Sequence, residues 1–418
     1  MSFPSVPNTT IRHAALVLPD RVERAPLHIA GGRIAAARPA NAWELDLRDH
    51  LIFPGLINAH DHLHLNNIPP LPQSAPFRNS YAWIAAFQPH FADPRVAAAV
   101  AVAKPLRYQQ GGLKNLLAGS TTVAHHDPWH AALDAWVFPV GLLRDFGWSH
   151  SLGLGIENEE VRSENAENSH FSLLTSQLPR YGPPVLESFA ATPAHRPWII
   201  HLAEGVDDIA AAELGWLEKL GCLAGNTVLV HGAGMTEADV DRVIASSAAV
   251  VWCPSSNLSM LGRTLNPRRL FDAGLLALGS DSRLTGAPDL LGELRVAAAH
   301  SDLSPRELLR LATSDAARIL RMPEVGGLHA GQRADMLILR DVASDPYTAL
   351  VDIKRSEIRA IVRGGAPMIA DLDFADWFAA CGTNAVAVLL DGQPKLMARA
   401  LAQPEPIGLE PGLDIVEI

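Results

Sequence analysis

The chain has 418 residues, 48% hydrophobic and 19% charged, which excludes intrinsic disorder and leaves room for a barrel of ~250 residues plus a second module. A net charge of −11 with no long basic run argues against nucleic acid or an anionic membrane surface as the main partner. The three cysteines, Cys222, Cys253 and Cys381, lack CxxC spacing, which excludes a disulfide scaffold or thiolate zinc site and fits a reducing compartment.

Met1 to Asp20 lacks a basic segment followed by a continuous apolar one, so no signal peptide is expected. The apolar run Val96–Ala103 is far short of the ~20 residues that span a bilayer. A soluble, cytoplasmic protein is the expectation. Ala14–Leu18 reads as a strand, and Leu27–Ala30, the turn Gly31-Gly32 and Arg33–Ala37 read as a hairpin. The same texture returns in Ala334–Leu339 and Ile358–Val362, which predicts one small β domain built from both chain ends.

Between these flanks, apolar strands alternate with amphipathic helices, the pattern of parallel βα units. The strands are Leu51–Ala59, Ser120–Ala124, Trp198–Leu202, Thr227–Val230, Ala249–Trp252 and Leu276–Gly279, with a seventh between Val140 and Ile156. An eighth has no clear place: 157–197 offers a polar loop and a short helix near Val185–Ala191. Helices are expected over Asp93–Leu117, Asp207–Leu220, Thr236–Ser246 and Ser304–Leu320, the last opened by a Ser304/Glu307 capping box. The tail shows a strand, Ala385–Leu390, a turn at Asp391-Gly392 and a helix-like Lys395–Leu401. It either finishes the β domain or meets a neighbouring subunit, as in a homodimer.

The chemistry concentrates at strand ends. Phe53 to Asn66 runs from apolar residues into His60, His62 and His64 at alternate positions, and residues i and i+2 of a strand share a side. Two such imidazoles can reach one divalent ion. Downstream, Trp198–Leu202 carries His201, with Glu204 three residues on; His231 follows Val230; Trp252 leads to Cys253-Pro254-Ser255-Ser256-Asn257; Leu276–Gly279 leads to Asp281. A lone residue of this kind is usually a capped turn or a satisfied core histidine. Four successive strand ends of a parallel barrel converge on one face, where sites are built.

Pro54-Gly55-Leu56-Ile57-Asn58-Ala59-His60-Asp61-His62 resembles the opening motif of the amidohydrolase superfamily. His201-Leu202-Ala203-Glu204, Val230-His231-Gly232, Cys253–Asn257 and Gly279-Ser280-Asp281 resemble its later motifs, in the branch of the cytosine/guanine/adenosine-type deaminases and triazine chlorohydrolases. The resemblance runs from about residue 11 to 370 and leaves out the tail. It implies an α/β fold: a (β/α)8 TIM-like barrel over 54–325, with a composite β-sandwich from 1–53 and 326–418.

The resemblance also implies one divalent ion on His60, His62, His201 and Asp281, a set that suits Zn²⁺, with Fe²⁺ or Mn²⁺ as alternatives. On that frame the ion activates a water, Asp281 accepts its proton, and His231 orients it and stabilises charge on the attacked carbon. Glu204 protonates a ring nitrogen, the role that zinc deaminases of another fold give to a glutamate outside the ligand set.

His64 is expected in the pocket wall rather than on the metal. His125 and His126 are candidates to line the pocket, Trp83 to stack a flat ring, and Arg283 to reach an anionic or carbonyl group. The loop Glu157–Ser169 is a candidate lid. No bridging lysine or glutamate appears on a fourth strand, so one metal is expected. The function expected is hydrolytic deamination of an amino-substituted nitrogen heterocycle, a small molecule, releasing ammonia. The alternative is hydrolysis of a cyclic amide or of a heteroaryl C–Cl or C–N(alkyl) bond. A barrel that had lost catalysis would be expected to have lost ligands, and all are present.

Overall fold

The computed structural model describes residues 6–135, 137–153 and 182–416. Eight parallel strands form two sheets. β1 (Leu56–Asp61), β2 (Ser120–His125) and β3 (Gly141–Leu142) make one sheet, in the order β3-β2-β1. β4 (Gly147–Trp148), β5 (Trp198–Leu202), β6 (Thr227–His231), β7 (Ala249–Trp252) and β8 (Leu276–Leu278) make the other, in sequence order. Two short strands thus stand where one was expected. Each has only two paired residues, and Gly141 and Gly147 blur the apolar pattern.

The interior follows the two-residue period of a strand. Ile199, Val228, Val230, Ala249, Val251 and Ala277 pack in one cluster, while Trp198, Ile200, Leu229, Val250 and Leu278 pack in the outer one. The alternation carries His201 to the interior side with Ile199, two residues earlier.

Leu51–Ala59, read as one strand, is two. His50–Pro54 belongs to a nine-stranded mixed sheet, and β1 starts after Gly55. A Cβ on Gly55 would stand 2.3 Å from Thr121 Oγ1, so the crossing between sheets requires glycine there. The nine-stranded sheet takes Ala15–Val17, Val22–Glu23 and His50–Pro54 from the start of the chain, and six strands between Met336 and Ile415 from its end. A separate four-stranded sheet holds Thr9–Arg12, Leu27–Ala30, Arg33–Ala35 and Trp43–Asp46, with the hairpin where the turn placed it. Both ends of the chain therefore meet in one sheet.

The tail corrects one expectation. Lys395–Leu401 is not helical: Gln393–Ala398 is a strand paired antiparallel with Ala385–Leu390. Asp391 (φ 49°) and Gly392 (φ 80°) form the left-handed two-residue turn that hairpins demand, and this overrides the helical spacing beyond it. Asp93–Leu117 divides into α2 (Pro94–Ala101) and α3 (Lys104–Leu117), because Pro105 belongs in a first helical turn and disfavours helix before it. Ser304–Leu320 likewise splits, into Pro305–Leu311 and Ser314–Ile319, and its expected capping box is present. The aromatic segment after the first motif forms α1 (Ser80–His90), where no helix was expected. Among the described residues no helix is long and apolar enough to cross a membrane. The candidate lid 157–169 lies outside the described residues.

Candidate metal centre

His60, His62, His201 and Asp281 converge at the C-terminal ends of β1, β5 and β8, all buried. The pairing of β1 with β2 slips between Asn58 and Asp61, so strict alternation fails there. The slip leaves His60 facing inward, in T-shaped contact with His62 and His201. Asp61 turns outward to α3, where Lys114 Nζ lies 3.0 Å from its Oδ2. Backbone strain places two more groups: His231 (φ 78°) and Asp281 (φ 54°) both sit in the left-handed region, uncommon for residues with a Cβ. Gly279 lets β8 approach β1, since a Cβ there would stand 2.7 Å from His60 Cβ.

The second nitrogen of each ring fixes what the first presents. His62 Nδ1 donates to Asp127 Oδ2 at 2.8 Å, and His201 Nδ1 donates to the His150 carbonyl at 2.7 Å. Their Nε2 lone pairs therefore face each other at 3.3 Å, and His60 Nε2 lies 3.2 Å from His201 Nε2. Nitrogens so arranged need a cation between them, a proton or a metal ion. Two donors ~2.0–2.1 Å from a tetrahedral ion stand ~3.3 Å apart, so the spacing fits a divalent metal.

Burial and the neighbouring histidines hold His60 and His201 well below the usual imidazole range, in the neutral form that ligates. Burial also works against charge on His62, but the Asp127 carboxylate outweighs it and raises His62 to about 9 without metal. Asp281 is pushed up by burial yet ends below its ordinary value, drawn down by His62 and His231 and by hydrogen bonds. Thr285 Oγ1 and Ser256 Oγ each donate to its Oδ2 at 2.8 Å. Its Oδ1 lies 3.9 Å from His62 Nε2.

Glu204 and His231 complete the floor. His231 Nδ1 donates to Asn257 Oδ1 at 2.9 Å, which gives Asn257 its task and turns the Nε2 lone pair towards Glu204 Oε1, 3.4 Å away. Burial raises Glu204 above its ordinary carboxyl value, partly offset by His231, so it holds a proton more tightly than a free carboxyl does. The loop carrying it is braced by Glu213, whose Oε2 accepts from Ala203 N at 2.6 Å and whose Oε1 accepts from Tyr81 OH at 2.5 Å.

A cavity of about 360 Å³ opens above this floor. His62, His201, Glu204, His231 and Asp281 line its base, and Trp83, Phe87 and Leu284 its walls. Trp83 thus stands where expected, stacked on Phe87 at 5.2 Å. His64 also lines the cavity, 3.4 Å from Asp127 and held near 3 by burial. His125 and His126 are behind the wall instead. Leu63 N donates to His125 Nδ1 at 3.3 Å, and His126 stacks on His201 at 4.4 Å. Arg283 is turned away: its guanidinium pairs with Glu410 of the tail at 2.7 and 2.8 Å, an attachment its position two residues past Asp281 does not reveal. Two residues orient the ligands in roles the sequence did not assign, Asp127 and His150. Asp127 had a signal, since it ends the His125-His126-Asp127 run, whereas His150 contributes a backbone carbonyl and a pocket ring that no motif marks.

The amidohydrolase family profile matches residues 188–367. The matched segment carries His201, Glu204, His231 and Asp281. A putative aminohydrolase of Methanothermobacter thermautotrophicus is 30% identical over 150 residues, covering 34% of this chain and only 38% of that relative. An 8-oxoguanine deaminase of Pseudomonas aeruginosa is 24% identical over 415 residues, 82% of this chain and 89% of that one. A structure of an adenosine deaminase from Xanthomonas campestris with bound zinc superposes with a TM-score of 0.65 at 20% identity, covering 91% of this chain and 98% of that one. The fold is accordingly a TIM-barrel-type α/β fold, as the motifs implied.

Proposed function

We propose that this protein is a metal-dependent aminohydrolase of the amidohydrolase family that deaminates an amino-substituted nitrogen heterocycle and releases ammonia. The observation that carries the reading is the place of Glu204, a largely buried carboxyl 3.4 Å from His231 at the cavity base beside the metal ligands, where burial raises its hold on a proton. Ring-nitrogen protonation is what makes the amino-bearing carbon electrophilic, and a protonated carboxyl supplies it.

His60, His62, His201 and Asp281 would hold the ion, for which neutral imidazoles and one carboxylate favour zinc. When bound, it lowers the pKa of water towards neutrality and so furnishes the nucleophile. The chain's own groups do the rest. Glu204 gives its proton to the ring nitrogen as the carbon is attacked. His231 Nε2 accepts a hydrogen of the attacking water and orients it. Asp281 takes the water's proton and passes it to the departing amine, which leaves as ammonia. The hydroxyl left on the carbon returns its proton to Glu204 as the carbonyl forms.

The reading takes a single ion, supported by two contacts in the second cluster, His64, His125 and Asp127: Leu63 N occupies His125 Nδ1, and His62 Nδ1 occupies Asp127 Oδ2. The same reading takes the eight parallel strands as a closed barrel over 54–325. Its support is the hydrogen bond from Asp281 N to His60 O, 3.0 Å, which joins the last strand end to the first. The two end-derived sheets form the composite β domain of 1–53 and 326–418, in a soluble cytoplasmic enzyme.

The test is ammonia release from aminopurines, aminopyrimidines, pterins and aminotriazines on metal-quantified protein, with and without chelator. Chelator-sensitive ammonia from one ring class is expected. Chloride, alkylamine or a ring-opened carboxylate in place of ammonia, with metal bound, would reassign the site to the alternative hydrolysis.

A further inference from the structure

Five lysines or arginines are buried among the described residues, and four are compensated by protein groups. Lys114 faces Asp61, Lys395 faces Asp371, and Arg359 faces Asp371 and Asp373. Arg363 donates to the carbonyls of Phe138 and Pro139. The fifth, Arg107, is only 9% exposed; its Nη1 donates to the His64 carbonyl at 3.2 Å, and its Nε has no hydrogen-bond partner. No carboxylate pairs with it among the described residues. It lines the cavity above the metal ligands.

Lys104, one turn earlier on α3, lines the same cavity. It is half-buried, likewise without a carboxylate, and its ammonium stands 5.8 Å from the Tyr108 ring. Two cations therefore share a cavity with a large apolar wall: Ile68, Trp83, Phe87, Phe91 and Leu284. A buried guanidinium without a counter-charge is costly to fold, and the cost is recovered when an anion arrives. An apolar wall with a cationic end selects an amphipathic ligand.

We infer that the cavity holds a carboxylate subsite, in which Arg107, assisted by Lys104, receives an anionic group carried on an apolar arm of the substrate. This rests on the reading of the cavity as the substrate site and narrows it to heterocycles bearing an apolar arm that ends in a carboxylate. Arg107 suits the task, since a planar guanidinium meets a carboxylate with two parallel hydrogen bonds. The His64 carbonyl that it already holds fixes its position.

The test compares phenylbutyrate with phenylbutyramide by calorimetry on metal-loaded protein. These probes share an arm and differ in charge, and neither contains an amino-heterocycle, so the result does not depend on deamination. Wild type is expected to bind the carboxylate about tenfold more tightly or better, and Arg107→Gln to lose that advantage while keeping its affinity for the amide. Arg107→Lys should restore part of it. Lys104→Gln, at a half-buried position, should erode it without threatening the fold. Equal affinity for the two probes in wild type would overturn the inference. So would a carboxylate advantage that survives Arg107→Gln and vanishes with chelator, which would place the anion on the metal. Ammonia release on the same preparations tests the reaction separately.

Discussion

Two buried polar clusters lie on either side of β1 and are built on opposite principles. On the outer side, Lys114 and Asp61 are both fully buried, and every charge has its partners. Lys114 Nζ reaches Asp61 Oδ2, Ser280 Oγ and the Asp281 carbonyl at 3.0–3.2 Å, three acceptors for three donors. Asn115 and Asn66 donate to the two oxygens of Asp61 at 2.7 and 3.0 Å. On the inner side, His60, His62 and His201 present nitrogen to nitrogen around the place of one cation, with His62 and His201 oriented through Nδ1 by Asp127 and the His150 carbonyl. Burial of polar groups does not by itself mark function. The unmet partner does.

The sharpest way to break the comparison is to remove the proton donor proposed beside the inner cluster, Glu204. Glu204→Gln keeps shape and metal ligands but cannot donate the same proton, so turnover on the true substrate should fall roughly 10²–10⁴-fold with metal content unchanged. Near-normal turnover in that variant would end the acid/base assignment. On the outer side the effect should appear in stability rather than chemistry. Lys114→Met strands the Asp61 carboxylate, at a cost of roughly 3–5 kcal/mol by denaturant titration. The double change Lys114→Met with Asp61→Asn should recover much of this, and a double variant no more stable than the single would show that the pair is not the unit.

The outer cluster is also where sequence reading runs out. His201, His231 and Asp281 were legible because each closes or follows an apolar strand; a period of two predicts the side His201 faces, whereas left-handed backbone at His231 and Asp281 places those two. Asp61 and Lys114 were not. Asp61 sits between two histidines and exits the other way because pairing slips at Asn58–Asp61. Lys114 is a lysine on a helix, ordinarily a solvated residue, and nothing local says that α3 buries it. β3 and β4 escaped for a related reason: two residues of pairing each leave too little pattern to read, and neighbouring strands hold them in place. The hairpin after Ala385 shows the reverse, a turn correctly placed but followed by a run whose spacing pointed to helix.

Asp127 links the clusters' logic to metal affinity. It orients His62 through a 2.8 Å hydrogen bond and adds a negative charge behind the ligand. Asp127→Asn keeps an acceptor for Nδ1 but loses the charge, so metal should bind about 10–100-fold more weakly in competition with a chromophoric chelator. Affinity unchanged within error would mean that the hydrogen bond alone sets the ring.

A third solution to a buried polar group is to keep the proton, and Glu293 uses it. Its carboxyl is fully buried beneath the Cys253–Asn257 turn, where Oε1 accepts from Ser255 N at 2.9 Å and Oε2 meets Ser255 Oγ. Burial raises it to about 8, so the folded protein holds a proton that the unfolded chain releases near its ordinary value of 4.5. The sign follows: this contribution to stability is fully present below about pH 4.5 and is lost as pH rises through about 8. Between those values it costs up to about 1.4 kcal/mol per pH unit. Glu293→Gln mimics the protonated carboxyl, keeps an acceptor for Ser255 N and has no proton to lose. Urea midpoints at several pH values should therefore draw apart in favour of the variant as pH rises from 5 to 8, whatever the other titrating groups contribute to both proteins. A difference between the two that stays constant with pH would mean that Glu293 is ionised in the folded protein and that a cation compensates it, as Lys114 compensates Asp61.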